Sequence, residues 1–380
     1  MKYYIIAGEA SGDMHGANLM HNLLKFDPDA EFRFFGGNMM QNIGGTLVKH
    51  YRDLSYMGIW EVLKNIKTIS NNLSLCKKDI IKFNPDVIIL IDYAGFNLRI
   101  AKFAKSHNLK VYYYILPKLW AWGKSRIRKI RKFIDKLFVI LPFEVKFYKQ
   151  FSIDVEFFGN PLVDEIEKDS SHSVSYKEFI TRNDLSEKPI IALLAGSRKQ
   201  EIDRCLPKMA EIIKYYPDYQ FVVAGVTSID QESYNKFILD KDIRIIYNQT
   251  YPLLTKSFAA VITSGTATLE AALFNVPQVV IYKTSPFTFY FGQLLILLRV
   301  IHIKFFSLVN IILEKEAVKE LLQFNLTENI KKELDNILFN NKHREEMIKN
   351  YKELKNNIGK PEVSKRVAEK IVNSLLAKNI

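Results

Sequence analysis

Cysteine is nearly absent: Cys76 and Cys205 are the only two in 380 residues. Two thiols cannot build a disulfide framework, and the simple expectation is a reducing compartment. The histidines are isolated and the cysteines distant, so no zinc-ligand spacing arises. Long apolar runs are also missing. A membrane-spanning helix needs roughly 18 uncharged residues. The nearest stretch, 284–298, has 15, after which Arg299, His302 and Lys304 interrupt it. The opening MKYYIIAGEASGD carries one lysine and a short apolar run, so it reads as a strand entering a glycine turn and not as a signal peptide. Acid is in deficit, with 54 Lys and Arg against 41 Asp and Glu and a net charge of +13. That balance suits an anionic partner: nucleic acid, acidic lipid or a phosphorylated substrate.

What is present is an ordered chain. Hydrophobic residues make up 48% and charged residues 25%, which excludes disorder over the whole length. At about 150 residues per domain, the length predicts two domains, with room for a third. Strand and helix alternate. Strands are expected at 3–7, 31–35, 86–91, 110–115 and 136–140, and helices at 14–25, 61–83, 97–107 and 124–133. The run 86–91, DVIILI, is apolar throughout, the sign of a strand buried on both faces. The texture changes around 160–188, with a turn at Gly159-Asn160-Pro161 and a serine-rich polar stretch at 168–175, and the linker is expected there. A second series follows, with strands at 189–194, 219–224, 243–247, 259–263 and 276–281 and helices at 199–215, 229–239 and 266–274. The tail from 327 reads as helices rich in Lys and Glu. Repeated βα units predict two doubly wound parallel sheets. Domains are expected at 1–165 and 166–345, with C-terminal helices at 346–380 that could cross back to the first domain. Two such sheets would face across a cleft, and ligands of open α/β sheets bind beyond the carboxyl ends of the strands.

The motifs fall at those ends. Gly8-Glu9-Ala10-Ser11-Gly12-Asp13 leaves the first strand and opens a helix, where amides attract an anion or polar ligand. Its glycines lack the G-x-G-x-x-G spacing of a dinucleotide site. Ser11 or Asp13 as a helix cap is the plainer alternative. Asp92 ends the DVIILI strand, where desolvation would make it a better base; capping the next helix is the alternative. Trp120 and Trp122, two of three tryptophans, sit in a loop with Lys118 and Lys124, and suit either a sugar or acyl ligand or the core. In 126–133, RIRKIRKF, apolar residues recur three apart. The helix reads as membrane-surface or merely solvated. Gly196-Ser197-Arg198 and Ser264-Gly265-Thr266-Ala267-Thr268-Leu269-Glu270 repeat the strand–glycine–helix junction. Two such anion sites suit a diphosphate, with Glu270 accepting from ribose hydroxyls or, alternatively, completing a capping box with Thr266 or Thr268. The tract 286–313, with Phe287, Phe289, Phe291, Phe305 and Phe306, reads equally as an acyl-chain or membrane patch and as a buried core helix.

The ordered set resembles the lipid-A-disaccharide synthase family, inverting glycosyltransferases of the GT-B type. The likeness rests on GEASGD at 8–13 with His15-Gly16-Ala17, Met57-Gly58 with Glu61-Val62, Pro85-Asp86, Ile91-Asp92 and Phe96-Asn97. It continues through Trp120-Ala121-Trp122, Leu141-Pro142-Phe143-Glu144, Gly196-Ser197-Arg198 and Ser264-Gly265-Thr266 to Pro286-Phe287-Thr288, Leu308, Asn310 and VKELLQ at 318–323. It spans about residues 3–325. Ala195, Asn160, Leu116, Lys118 and Val309 depart from the family pattern, and Asn160 leaves any role of a histidine there unsupported.

The resemblance implies transfer from UDP-2,3-diacylglucosamine to 2,3-diacylglucosamine 1-phosphate, with no metal and no cofactor. It implies Asp92 as base with His15, of ordinary pKa near 6.5, as the second candidate. Gly196, Ser197, Arg198, Gly265, Thr266, Thr268, Glu270, Asn310 and Glu316 would bind the donor. Gly8, Ser11, Gly12, Asp13, Trp120, Trp122 and Phe287 would bind the acceptor lipid. A cytoplasmic enzyme at the inner face of the inner membrane, drawn to anionic lipid, is expected, with no nucleic acid partner. The nearest rival is another UDP-sugar enzyme of this architecture, an N-acetylglucosaminyltransferase or an epimerase, whose water-soluble substrates would leave the apolar tract unexplained. A non-catalytic nucleic-acid binder should interleave aromatic and basic residues along a groove, and only 118–133 does so.

Overall fold

A computed structural model describes residues 1–54, 66–116, 124–238, 243–297 and 304–377. The chain divides into two compact units, one of Met1–Asp164 with Ile358–Ile380, the other of Glu165–Asn357.

The first unit is built on a seven-stranded parallel sheet. Its strands are β1 (Lys2–Ala7), β2 (Glu31–Gly36), β3 (Thr46–His50), β4 (Val87–Ile91), β5 (Val111–Tyr114), β6 (Lys136–Val139) and β7 (Glu156–Phe157), in the order β3-β2-β1-β4-β5-β6-β7. β4, the VIILI of the apolar run, is buried along its whole length at the centre of the sheet. Alternate side chains feed two cores, as a period of two requires. Tyr4, Ile6, Ile88 and Leu90 lie on one face, and Tyr3, Ile5, Ile89 and Ile91 on the other.

The second face is covered by the helix Ala10–Phe26 and, from the far end of the sequence, by the helix Val363–Leu376. Val367, Ala368, Ile371, Val372 and Leu375 of the latter pack with Ala17, Met20 and Leu23. The returning chain meets the segment after β7 backbone to backbone. A Cβ on Gly359 would lie 2.6 Å from the Cα of Gly159, and both residues have positive φ, +94° and +121°. The Asn160 amide donates to the Ile358 carbonyl at 2.8 Å. Asp164 then caps the returning helix by accepting from the amides of Val363 (2.9 Å) and Ser364 (3.0 Å).

The second unit carries a six-stranded parallel sheet of β8 (Ile190–Leu194), β9 (Gln220–Gly225), β10 (Ile243–Tyr247), β11 (Ser257–Thr263), β12 (Gln278–Tyr282) and β13 (Lys319–Leu322), ordered β10-β9-β8-β11-β12-β13. β3, β7 and β13, which the sequence does not announce, are sheet edges. Their segments TLVKH, EF and KELL are short and partly exposed, so no apolar run marks them.

Other boundaries also shift. The first helix begins at Ala10, not 14, because the glycine-rich loop already carries helical backbone. The helix from Lys199 stops at Ala210, three residues past Pro207, and a single turn Ile213–Tyr215 follows. The units change between Asp164 and Glu165, inside the helix Leu162–Lys168, within the stretch 160–188 expected as the linker and one residue from the expected 165/166 boundary. The expected boundary at 345/346 falls within the helix Asn341–Asn357, which belongs to the second unit.

Candidate active site

In both sheets the strand order reverses at one point, and the motifs collect there. β1 pairs with β2 on one side and β4 on the other, with Ala7 opposite Ile91. Gly8 and Asp92, far apart in sequence, therefore leave the sheet side by side. The Tyr93 ring lies over Gly8 so closely that a Cβ there would sit 2.3 Å from it, and only glycine fits. Such a switch point is where open α/β sheets bind ligands.

The helix Ala10–Phe26 starts with no side-chain cap, and Ser11 is exposed at its first turn while Gly12 is buried. Asp13 is buried too, and its carboxylate is taken up elsewhere. It accepts from the amides of Gly37 (2.7 Å), Met39 (3.0 Å) and Met40 (3.1 Å). The acid placed among the acceptor-binding residues is thus the cap of a different helix, Asn38–Ile43, whose positive N-terminal end it neutralises. His15 lies one turn further on. Burial pushes its pKa from 6.5 down to about 4, against the opposing pull of Asp164. Its imidazole is neutral at pH 7, and the ordinary value that recommended it as a base is lost.

Asp92 is half-buried and has φ of +44°, and Tyr93 follows at +49°. Two adjacent non-glycine residues in the left-handed region cost roughly 1–2 kcal/mol each. Asp92 stands one residue before the N-cap of the helix Ala94–Ser106, which is Tyr93. Its backbone is held on both sides. The amide donates to the Ile115 carbonyl at 3.1 Å. The carbonyl accepts from Asn97 Nδ2 at 2.7 Å and from the Tyr113 hydroxyl.

The second unit repeats the pattern, with β8 between β9 and β11 and Leu194 opposite Ile262. The loops after β8 and β11 carry Gly196-Ser197-Arg198 and Ser264-Gly265. Here the expectation of free amides needs correction. Glu201 folds back, and its Oε2 accepts from the amides of Ser197 (2.9 Å) and Arg198 (3.3 Å). The Arg198 side chain is 61% exposed, with its guanidinium 3.8 Å from Glu201 Oε1.

The helix Thr266–Leu273 does present an uncapped start. Its N-cap is Gly265, with no side-chain bond, and Thr266 is exposed. Thr268 is fully buried and donates to the Gly265 carbonyl at 2.8 Å, so it shapes the turn and offers no group to a ligand. With Gly265 as N-cap there is no capping box, and Glu270 is not part of one. The Glu270 residue keeps partial exposure, but its carboxyl is enclosed, and burial raises its pKa from 4.5 to about 7.

Asn310 is also removed from the ligand. Its Oδ1 accepts from the amides of Ala317 and Val318 at 2.8 and 2.9 Å. Its Nδ2 donates to the Val318 carbonyl and to Glu320 Oε1, both at 2.8 Å. It pins a loop. Glu316 is exposed and paired with Lys319 at 3.1 Å. A cavity of about 300 Å³ that the sequence did not signal lies beyond β12 and β13, lined by Lys208, Lys283, Gln323, Asn325, Leu326, Thr327 and Glu328. Among the described residues no three His, Cys, Asp or Glu side chains converge as a metal site.

Met57, Gly58, Glu61, Val62, Trp120 and Trp122 lie outside the described residues, as does the side chain of Phe287. The helix Lys124–Phe133 turns Ile127 and Ile130 into the core and leaves Arg126, Arg128, Lys129, Arg131 and Lys132 exposed. The helix Pro286–Leu297 exposes Tyr290, Leu294 and Leu297, the last by 78%. The tract is thus divided: those three side chains are exposed, while Leu308, Val309, Ile312 and Leu313 in the helix Leu308–Leu313 at its other end are buried, as the core reading expects. No described helix is long and apolar enough to cross a membrane.

Residues 3–374 match the family described as lipid-A-disaccharide synthetase. Similar curated proteins include the lipid-A-disaccharide synthases of Syntrophus aciditrophicus, 37% identical over 96% of this chain and 95% of that one, and of Coxiella burnetii strain Dugway 5J108-111, 34% identical over 98% of both. Among solved structures, the UDP-GlcNAc 2-epimerase of Neisseria meningitidis bound to UDP-GlcNAc has a TM-score of 0.65 at 14% identity, covering 99% of this chain and 100% of that one. A glycotransferase of kitacinnamycin has a TM-score of 0.62 at 11% identity, covering 97% and 98%. At such identities the structures share the fold of two Rossmann-like parallel-sheet domains and no more.

Proposed function

The chain belongs to the lipid-A-disaccharide synthase family, a glycosyltransferase family of lipid A biosynthesis, and from that premise we propose its substrates and its base. The donor is UDP-2,3-diacylglucosamine and the acceptor 2,3-diacylglucosamine 1-phosphate. The acceptor's 6-hydroxyl oxygen attacks the donor's anomeric carbon from the face opposite UDP. As that C–O bond forms, the bond to the diphosphate breaks and its electron pair leaves with UDP. The hydroxyl proton passes to the Asp92 carboxylate. The products are a β-1,6-linked tetraacyl disaccharide 1-phosphate and UDP.

The observation that carries this reading is the strained pair Asp92-Tyr93 at the switch point between β1 and β4. Strain of this kind persists where the surroundings over-determine it, and it clusters at functional sites. His15 is a neutral hydrogen-bonding group beside the acceptor and not the base, since burial holds its pKa near 4. In the donor set, Arg198 and the start of the helix Thr266–Leu273 meet the diphosphate charge, and Glu270 meets the ribose. Trp120, Trp122, Phe287 and the exposed face of the helix Pro286–Leu297 shelter acyl chains. The basic helix Lys124–Phe133 rests on anionic lipid at the inner face of the inner membrane.

The test is UDP release by the purified protein with EDTA present and UDP-2,3-diacylglucosamine as donor. Release should require the acceptor lipid. Asp92→Asn should lower turnover by about 100- to 10,000-fold, the usual contribution of a general base, with UDP affinity kept. Wild-type turnover in that variant would remove Asp92 from the role. Turnover of UDP-N-acetylglucosamine alone would instead favour a soluble-sugar enzyme.

A further inference from the structure

We propose that Asn97 and Tyr113 are positioning residues that hold the Asp92 backbone, and through it the Asp92 carboxylate, in the geometry needed for proton removal. The inference rests on Asp92 as the base.

Asp92 has φ of +44°, in the left-handed region that non-glycine residues adopt uncommonly, and Tyr93 beside it is there too at +49°. Leaving that region would swing the Asp92 Cα–Cβ bond and carry the carboxylate away. Opposing that relaxation are donors aimed at one atom. Asn97, fully buried in the first turn of the helix Ala94–Ser106, points its Nδ2 back across the strand end. It reaches the carbonyls of Asp92 (2.7 Å) and Ile91 (3.2 Å), and that of Ile6 on β1 at 3.5 Å. The second donor comes from the other side. Tyr113 on β5 is fully buried, pairs in register with Leu90, and extends its hydroxyl to the same Asp92 carbonyl. The amide side is tied to Ile115. Both peptide planes flanking the Asp92 Cα are therefore fixed by named partners.

The arrangement is specific to donors. Asn97 Oδ1 is buried without a hydrogen-bond partner among the described residues, so the amide end alone does the holding, and an acid or an apolar group could not replace it. Tyr113 remains a donor at any working pH. Burial first, and the Asp92 charge second, hold its phenol well above its ordinary pKa of 10.

The experiment compares Tyr113→Phe and Asn97→Ala with Tyr4→Phe, which removes a buried hydroxyl from the same core without touching Asp92. Kinetics are read as kcat and donor KM, with UDP affinity by calorimetry and the thermal midpoint alongside. Misplacement of a reacting group by about 1 Å costs up to roughly a hundredfold in rate. Tyr113→Phe is therefore expected to lower kcat by about ten- to a hundredfold, with donor KM and UDP affinity within about twofold of wild type. Tyr4→Phe should leave kcat unchanged. Should Asn97→Ala not fold, Tyr113→Phe decides. The proposal is overturned if Tyr113→Phe keeps its kcat, or if Tyr4→Phe loses as much. Asp92→Asn in the same series separates the two claims. An inactive Asp92→Asn beside a fully active Tyr113→Phe rejects the positioning role alone. An active Asp92→Asn rejects the base, and the positioning role with it.

Discussion

At the scale of the residue, two buried ionisable groups make opposite demands on pH. Glu270 has its pKa raised to about 7, so the folded state favours its neutral form. The unfolded chain releases that proton near 4.5. Stability from this group is therefore whole below pH 4.5, falls as pH rises, and is gone above about 7. Glu270→Gln should raise the thermal midpoint at pH 8 and leave it near wild type at pH 4.5, by calorimetric scans at both. His15 is depressed to about 4, so its contribution is present above 6.5 and lost as pH falls through 4. Arg198, exposed and only loosely paired with Glu201, contributes little to the fold, and its proposed role toward the diphosphate is open to direct test. Arg198→Ala should weaken UDP binding by about 10- to 100-fold, the worth of a charge-assisted hydrogen bond, with the thermal midpoint unmoved. Calorimetric titration with UDP checks it, and unchanged affinity would place the diphosphate elsewhere.

At the scale of the element, much of what reads as a binding motif is a device for ending strands and starting helices. Asp13 caps the helix Asn38–Ile43. Glu144, buried in the LPFE segment, accepts from the Leu141 amide at 3.1 Å and closes the start of the helix Pro142–Lys149. Glu320 accepts from the amides of Phe306 (2.9 Å) and Ser307 (2.8 Å) besides Asn310. Asn160 accepts from the Leu162 amide at 3.0 Å and donates to the Ile140 carbonyl at 3.3 Å. These residues were legible as motif but not as role, because an acid near a glycine turn serves a ligand or an amide with the same atoms. The Gly159–Gly359 contact tests the returning element. Gly359→Ala adds a Cβ 2.6 Å from the Gly159 Cα at φ of +94°. It should cost at least about 2 kcal/mol, lowering the midpoint by about 4–8 °C, and speed proteolysis at residues 358–362. A wild-type midpoint would mean the two backbones can part freely.

At the scale of the whole molecule, charge and apolar surface are distributed unevenly. The net charge of +13 includes the outward face of Lys124–Phe133, whose Ile127 and Ile130 are anchored in the first core. Because the apolar residues already have a partner, the basic face alone would meet a membrane, by electrostatics and not by insertion. Lys129→Glu with Arg131→Glu should reduce sedimentation with anionic vesicles several-fold at about 0.1 M salt and change nothing with neutral vesicles. Binding to anionic vesicles that is unaffected would make this helix an ordinary solvated face.

The sequence by itself determined the alternation of strand and helix, the two parallel sheets and the family. Apolar periodicity and glycine junctions are local, and DVIILI or GEASGD carries its meaning within a few residues. Only the tertiary structure decided which motif side chains are taken up by backbone hydrogen bonds and which stay exposed. The union of Gly8 with Asp92, the donors from Asn97 and Tyr113, and the withdrawal of Asp13, Thr268 and Asn310 into backbone hydrogen bonds depend on strand order. So does the packing of the last helix on the first sheet. Contacts between segments tens to hundreds of residues apart leave no period in the chain, and burial, which moved His15 and Glu270 from their ordinary pKa values, exists only once those segments meet.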